Sequence, residues 1–392
     1  MPEKSEELSY VIVTPYSIRK SRTGGIIARL ISRTGLDIAG ARMFAPSREL
    51  VEKFADTIVT DPEPRHRKTQ ELIRDYVLKN FAPDETGYRP RVMLLVFRGE
   101  NAIGKIRGVV GHIVNERTSG ETIRDTFGDY LTEKNGGVSY FEPAVLAPPD
   151  AQSAQRNLEL WAEYSDRDGG LLDEAVHYPA DASNVQKTLV LIKPDNFRFP
   201  SARPGSVIDV FSRSGLYIIG AKIHRMSVAQ AEEFYRPVLD VLMDKLKEPT
   251  GVRARLMLED ELGIPLTDEV HRRLGDLLGP IAGRDNWEQI VKFMSGAKPS
   301  ECPAASRHEP GTEKCFALVY QGVDAVRKIR EVLGPTDPSK APPGSIRREF
   351  GSTIMVNAAH ASDSSENAER EMKIVQITQN HFKDVIERHF AK

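Results

Sequence analysis

Of nine histidines in the chain, His360 keeps the company that suggests chemistry. It lies in the stretch GSTIMVNAAHASDSSENAERE, Gly351 to Glu371. An imidazole with an unperturbed pKa near ~6.5 is largely neutral at pH 7, and the neutral ring is the nucleophilic form. Thr353, Ile354, Met355 and Val356 make a short apolar, β-branched run of the kind that forms a buried strand. Ser362 or Asp363 can cap a helix running from Ser365 through Glu371. The histidine is therefore expected where a strand hands over to a helix, held rigidly yet reachable. Glu371, near the helix interior, is placed to hold the second ring nitrogen. His66, His112, His177, His224, His271, His308, His381 and His389 read as solvated or satisfied side chains.

The elements that must position this stretch occur twice. SYVIVTPYSI, a helical pattern, Gly35 and LDIAGARMF are followed later by TLVLIKPDNF, a helical pattern, Gly215 and LYIIGAKIH. VMLLVFRGENAIGKIRGVVG matches CFALVYQGVDAVRKIREVLG, and GETIRDTFG matches PGSIRREFG. Whole peptides recurring in the same order indicate duplication of one α/β unit. Strands alternating with helices around an antiparallel sheet predict an α+β fold of two ferredoxin-like (split βαβ) domains. The expected division is a first domain at 1–163, a linker at 164–186 and a second domain at 187–392. The second domain carries a helical insertion at about 237–287 and a polar loop insertion at 298–314. Phe382, Val385, Ile386 and Phe390 sit at helical spacing and predict a terminal helix docked on its own domain.

The histidine's surroundings in sequence suit phosphoryl transfer, which is chiefly positioning and charge stabilisation. There is no Gly-x-x-x-x-Gly-Lys-Ser/Thr loop. Instead, isolated polar residues close successive elements: Lys193 in Lys-Pro-Asp, Arg330 in a helix, Thr336 in Gly-Pro-Thr-Asp-Pro, and Arg347 in Gly-Ser-Ile-Arg-Arg-Glu-Phe-Gly. Together with Asn-Ala-Ala-His-Ala-Ser-Asp-Ser, this set closely resembles the active-site signature of the nucleoside diphosphate kinase family. The resemblance covers nearly all of residues 187–372 apart from the insertions. It implies a ping-pong transfer of the γ-phosphate of ATP to nucleoside diphosphates through phosphorylated His360, with Mg²⁺ accompanying the nucleotide. It further implies that Lys193 contacts the ribose 3′-hydroxyl and terminal phosphate, and that Tyr235 sits beside histidine and phosphate. Arg330, Thr336 and Arg347 would bind the β- and γ-phosphates, Asn357 would hold the sugar, and Ile354 would line the base site. Ser362 and Glu371 would set the histidine. The insertion after Tyr235 occupies the region where the family stacks its base.

Aligning the copies places Thr14 opposite Lys193, Ala55 opposite Tyr235, Ile113 opposite Thr336 and Leu146 opposite His360. Leucine cannot carry a phosphoryl group, so the first copy is expected to be degenerate. Arg107 and Arg124 survive opposite Arg330 and Arg347 and read as structural ion pairs in preference to a residual anion or nucleotide site. A fused, inactive copy suggests an intramolecular pseudo-dimer or a homo-oligomer, because family members assemble from dimers.

Composition narrows the partners. Charged residues make up 28%, aromatics 7%, and the net charge is −2. That balance supports neither nucleic-acid nor membrane attraction, and no apolar run approaches spanning length. The polar start MPEKSEELS is no signal peptide, and two cysteines, Cys302 and Cys315, make no disulfide framework. A cytoplasmic setting is expected. With His308 they match no zinc spacing, so no protein metal ligand is expected. The alternative reading is a non-catalytic nucleotide-binding or scaffold protein, suggested by the degenerate copy.

Overall fold

The computed structural model describes residues 6–113, 120–133, 138–179 and 181–391, the side chains of Pro64 and Arg65 excepted. The first half contributes strands β1 (Glu7–Val13), β2 (Asp37–Phe44), β3 (Val92–Gly99), β4 (Asp129–Thr132), β5 (Val138–Glu142) and β6 (Val145–Leu146). Among the described residues β4 and β5 pair with each other, while the rest form a sheet in the order β2-β3-β1-β6. The second half contributes β7 (Val185–Ile192), β8 (Tyr217–His224), β9 (Cys315–Val323) and β10 (Ala359–Ala361), in the order β10-β7-β9-β8. Strand for strand, the two orders are the same, and the pairings on β1 and β7 are antiparallel. With their helices these are two ferredoxin-like α+β domains.

The duplication extends to backbone conformations that side chains resist. Asn101 and Asp324 hold φ at 50° and 54°, and Ala144 and Ala358 at 60° and 69°. A left-handed alanine costs on the order of 1–3 kcal/mol, so its recurrence at matched positions marks one framework used twice. Helix starts recur as well. Ser47 caps Arg48–Asp56 as Ser227 caps Val228–Lys245, and Asp150 caps Ala151–Glu163 as Ser364 caps Ser365–Ile374.

The two domains share one apolar core, in which Val11, Ile26 and Phe97 continue into Val190, Val207, Phe211 and Tyr320. At its centre the helix Thr23–Thr34 lies against Arg203–Phe211. A Cβ on Gly205 would fall 2.1 Å from the Ala28 amide nitrogen, and one on Gly24 would fall 2.4 Å from that of Asp209. Only glycine allows backbones this close. Residues of the expected linker tie the sheet edges, with the Gly170 amide donating to Met43 O at 2.9 Å and the Leu172 amide to Ile219 O at 2.9 Å.

The terminal helix His381–Phe390 does not dock on its own domain as its pattern suggested. Phe382 and Ile386 join the apolar cluster of the first sheet, with Phe382 edge-on to Phe44 at 5.6 Å. Spacing shows that a helix has an apolar face; it does not show which domain offers the hydrophobic surface.

Residues His224–Cys315 form a separate compact body; the remainder of the chain forms the other. The smaller body is built from helices Val228–Lys245, Lys247–Leu262 and Asp268–Ser295. Gly279 and Gly283 let the last of these approach the Lys247 and Met243 backbones, where a Cβ would meet Cα atoms at 2.5 and 2.4 Å. Among the described residues no helix is long and apolar enough to cross a membrane.

Candidate active site

His360 lies on β10, paired with Leu191 of β7. The apolar run before it is not the buried strand its residue types suggested. Thr353 to Val356 turns back on itself, the Ser352 amide donating to Val356 O at 2.8 Å, and Ile354 is 62% exposed. β propensity loses here because the loop's carbonyls find other donors: Asn357 Nδ2 holds Ile354 O at 2.8 Å and Lys193 Nζ holds Met355 O. Alanines at 359 and 361 take the strand positions instead. The helix cap is Ser364 rather than Ser362 or Asp363, and the helix runs Ser365–Ile374. That leaves the Ser362 hydroxyl available to the site.

The buried Glu371 carboxylate is the hub of the histidine's surroundings. Its Oε2 lies 2.8 Å from His360 Nε2 and accepts from Ser362 Oγ at 2.7 Å, while Arg370 Nη2 stands 3.5 Å from Oε1. An ionised carboxylate only accepts, so it selects the tautomer with the proton on Nε2. Nδ1 is then the nitrogen that carries the lone pair. The imidazole is 23% exposed against 6% for Glu371, so the ring is reachable and its anchor is not.

A second network begins at the end of β7. Lys193 Nζ donates to Asn357 Oδ1 at 3.0 Å, and Asn357 Nδ2 donates to Thr336 O at 3.1 Å. Arg347 Nη1 donates to Gly334 O at 3.0 Å and reaches Thr336 Oγ1 at 3.5 Å; its Nη2 donates to Ala359 O at 3.3 Å. Burial pushes the Lys193 ammonium down to about 8, with Arg347 adding to the push and Asp195 opposing it. A lysine held this way is a cation short of solvation, ready for an anion.

The structure thus joins His360, Ser362 and Glu371 in one network, and Lys193, Asn357, Thr336 and Arg347 in another. The two meet at Ala358 and Ala359, the first of which accepts from the Lys193 amide at 2.9 Å. Arg330, exposed on the helix Ala325–Leu333, lines an open cleft of about 720 Å³ with Arg327, Ser364 and Ser365. Tyr235 belongs to the helical body, where it packs on Phe234 at 5.0 Å and its carbonyl accepts from Trp287 Nε1 at 3.0 Å. Sequence reasoning did not single out Asn196, whose Nδ2 donates to Lys193 O at 3.0 Å, or Asp195, whose charge acts on Lys193; the Lys-Pro-Asp triplet was the available signal. Among the described residues no three His, Cys, Asp or Glu side chains gather as a metal cage.

The first copy provides an internal comparison. Leu146 pairs with Ile12 at the register His360 holds against Leu191. It lies in an apolar cluster with Tyr76, Phe81 and Trp161. Asn157, at the position of Glu371, donates to the Tyr10 hydroxyl at 2.9 Å. Arg124 donates to Gly111 O at 2.6 Å and Val145 O at 3.2 Å, the counterparts of the two carbonyls held by Arg347. No ion pair is needed to explain it, because the arginine braces the backbone in both copies.

Comparison with known proteins names the family of the repeated unit. The family model described as nucleoside diphosphate kinase matches residues 7–165, 186–241 and 308–380. The nucleoside diphosphate kinase of Staphylothermus marinus is 28% identical over 192 residues, 49% of this chain and 93% of the relative. Nucleoside diphosphate kinase 2 of Protochlamydia amoebophila is 29% identical over 189 residues, 48% of this chain and 90% of the relative. A crystal structure of an NDP kinase from Pyrobaculum aerophilum is 28% identical, covering 48% of this chain and 94% of its own, with a TM-score of 0.32. Each relative corresponds to about one copy of the repeat, and the stretch between residues 241 and 308, most of the helical body, lies outside the family match. With both halves matched and the histidine confined to the second, the chain belongs to the nucleoside diphosphate kinase family.

Proposed function

We propose that the second copy is a nucleoside diphosphate kinase working by ping-pong phosphoryl transfer. The observation that carries this reading is the Glu371 carboxylate held against His360 Nε2 at 2.8 Å, which makes Nδ1 the nucleophile. In the first half-reaction the Nδ1 lone pair attacks the γ-phosphorus of ATP. The bond from that phosphorus to the bridging oxygen breaks, and ADP leaves with the electron pair. In the second, a terminal oxygen of a nucleoside diphosphate attacks the same phosphorus, the P–N bond breaks, and its electrons return to Nδ1. Glu371 balances the positive charge on the phosphorylated ring, and Ser362 keeps the carboxylate in place. Lys193, Arg330, Arg347 and Thr336 receive the phosphates, Asn357 the sugar and Ile354 the base. Mg²⁺ enters as part of the nucleotide substrate, consistent with a site rich in cations and with its reluctance to shed water. The shared core and the glycine seam support the first copy serving as a built-in partner of the second. The expected setting is the cytoplasm.

A second reading, a nucleotide-binding scaffold, is favoured by the helical body, which leaves Leu256, Met257, Leu277 and Ile281 at least 60% exposed. Incubation of the chain and of His360→Ala with γ-labelled ATP, Mg²⁺ and GDP separates the two. The kinase reading expects acid-labile label on the wild-type protein and then on GDP, and none with the variant. Nucleotide binding without label transfer would establish the scaffold.

A further inference from the structure

The two oxygens of Glu371 have different partners. Oε2 serves His360 and Ser362, while Oε1 faces the Arg370 guanidinium at 3.5 Å. Arg370 is itself held. Its Nε donates to Asn367 Oδ1 at 3.3 Å, and Asn367 Nδ2 donates to Asp363 Oδ1 at 2.6 Å. Spacings of four and three residues bring these side chains together along one face at the start of helix Ser365–Ile374. The first copy keeps the arginine but not the arrangement. Pro149, Ser153 and Asn157 stand opposite Asp363, Asn367 and Glu371, and Arg156, opposite Arg370, donates instead to Thr57 O at 2.8 Å. The arginine is turned onto a carboxylate only where that carboxylate anchors a histidine.

We infer that Arg370 is a positioning residue that sets the level of the phosphohistidine intermediate through Glu371, oriented for this by Asn367 and Asp363. This deepens the kinase reading above and rests on it. The Glu371 charge steadies the positive ring that forms when Nδ1 carries the phosphoryl group. Arg370, on the other oxygen of the same carboxylate, offsets part of that charge and so raises phosphohistidine relative to the free imidazole. The anhydrides exchanged by the proposed reaction are near-identical in energy, so transfer is fastest when the intermediate is neither a sink nor a barrier between them. The arginine side chain is 34% exposed, and solvent screening keeps its effect modest.

The test is the equilibrium constant [phosphoprotein][ADP]/[free protein][ATP], measured on the full chain from γ-labelled ATP and Mg²⁺ over a series of ATP to ADP ratios. This constant depends on the free and phosphorylated protein alone, so a change in nucleotide affinity does not move it. Arg370→Met is expected to raise it by about two- to fivefold. Arg370→Lys restores most of the wild-type value. Asn367→Ala, which leaves both charges in the chain, shifts the constant in the same direction and keeps the test open if Arg370→Met does not fold. Constants for both variants equal to wild type, or below it, overturn the inference and leave the arginine a surface brace. Wild-type protein that takes no label from ATP removes the kinase reading and this inference with it, whereas wild-type labelling with an unmoved constant in the variants removes the inference alone.

Discussion

Replacing Glu371 by glutamine tests the histidine's activation without changing side-chain size. The carboxylate accepts from His360 Nε2 and Ser362 Oγ through one oxygen, while its other oxygen faces Arg370 Nη2 at 3.5 Å. The amide has two orientations, and each loses something. With its oxygen toward His360 and Ser362, the tautomer survives but the NH₂ group meets Arg370, donor against donor. The charge-assisted bond to the ring becomes a neutral one, a loss of about 1–1.5 kcal/mol, or roughly tenfold in rate. With the NH₂ toward His360, Nε2 must accept, the proton moves to Nδ1, and the nucleophilic nitrogen is lost. Ser362 permits this flip, because its hydroxyl can turn to Leu189 O at 3.4 Å. The expected loss therefore lies between about tenfold and the thousandfold range seen when a positioned catalytic group is removed. Rapid-quench measurement of label reaching His360 from γ-labelled ATP reads this step alone, and thermal unfolding checks that the fold is intact. A labelling rate within twofold of wild type would refute the tautomer argument and make Glu371 a packing residue.

Other consequences follow from the same geometry. Lys193 binds its proton less readily when folded, its value dropping from 10.5 to about 8. Between those two values the unfolded chain holds the extra proton, so stability rises with pH across that window; urea unfolding should show this rise in wild type and not in Lys193→Met. Gly205→Ala forces a Cβ against the Ala28 backbone at 2.1 Å and should lower unfolding free energy by about 1–3 kcal/mol, read as a lower denaturant midpoint. Leu146→His, made on the His360→Ala background, should take up no label from ATP, because the position lies in an apolar cluster with Tyr76, Phe81 and Trp161 and its anchor position is Asn157. Label on that variant would show that the first copy keeps a phosphate site.

The repeat and the α+β class with antiparallel sheets were legible in the sequence through local patterns. Peptides such as SRTGLDIAGAR and SRSGLYIIGAK record a framework because each residue's type answers to its own turn or strand. What was not legible depended on partners distant in sequence. Thr353–Val356 has strand-forming residues, yet Asn357 and Lys193 take up its carbonyls and make it a loop. The terminal helix has a readable apolar face, but Phe44 lies over 300 residues away, and nothing in spacing selects it. Arg124 was read as an ion-pair remnant because arginines are usually weighed by charge; here it works as a donor to two carbonyls.

Arg124 and Arg347 separate what the framework needs from what the histidine's surroundings add. Arg347 is already required by the framework, since its counterpart is kept where no histidine exists. Beside it stand Lys193 and Asn357, and part of the guanidinium reaches Thr336, so under the proposed function the backbone brace has a second task. The same logic predicts an asymmetry between the cationic residues. Arg347→Ala removes donors from Gly334 O and Ala359 O, so it should lose about 1–3 kcal/mol of stability together with nucleotide affinity. Arg330→Ala, on an exposed helix face, should lose affinity while the denaturant midpoint stays within error. Equal destabilisation by the two variants would mean that Arg330 also belongs to the framework, and the separation of brace from binding residue would fail.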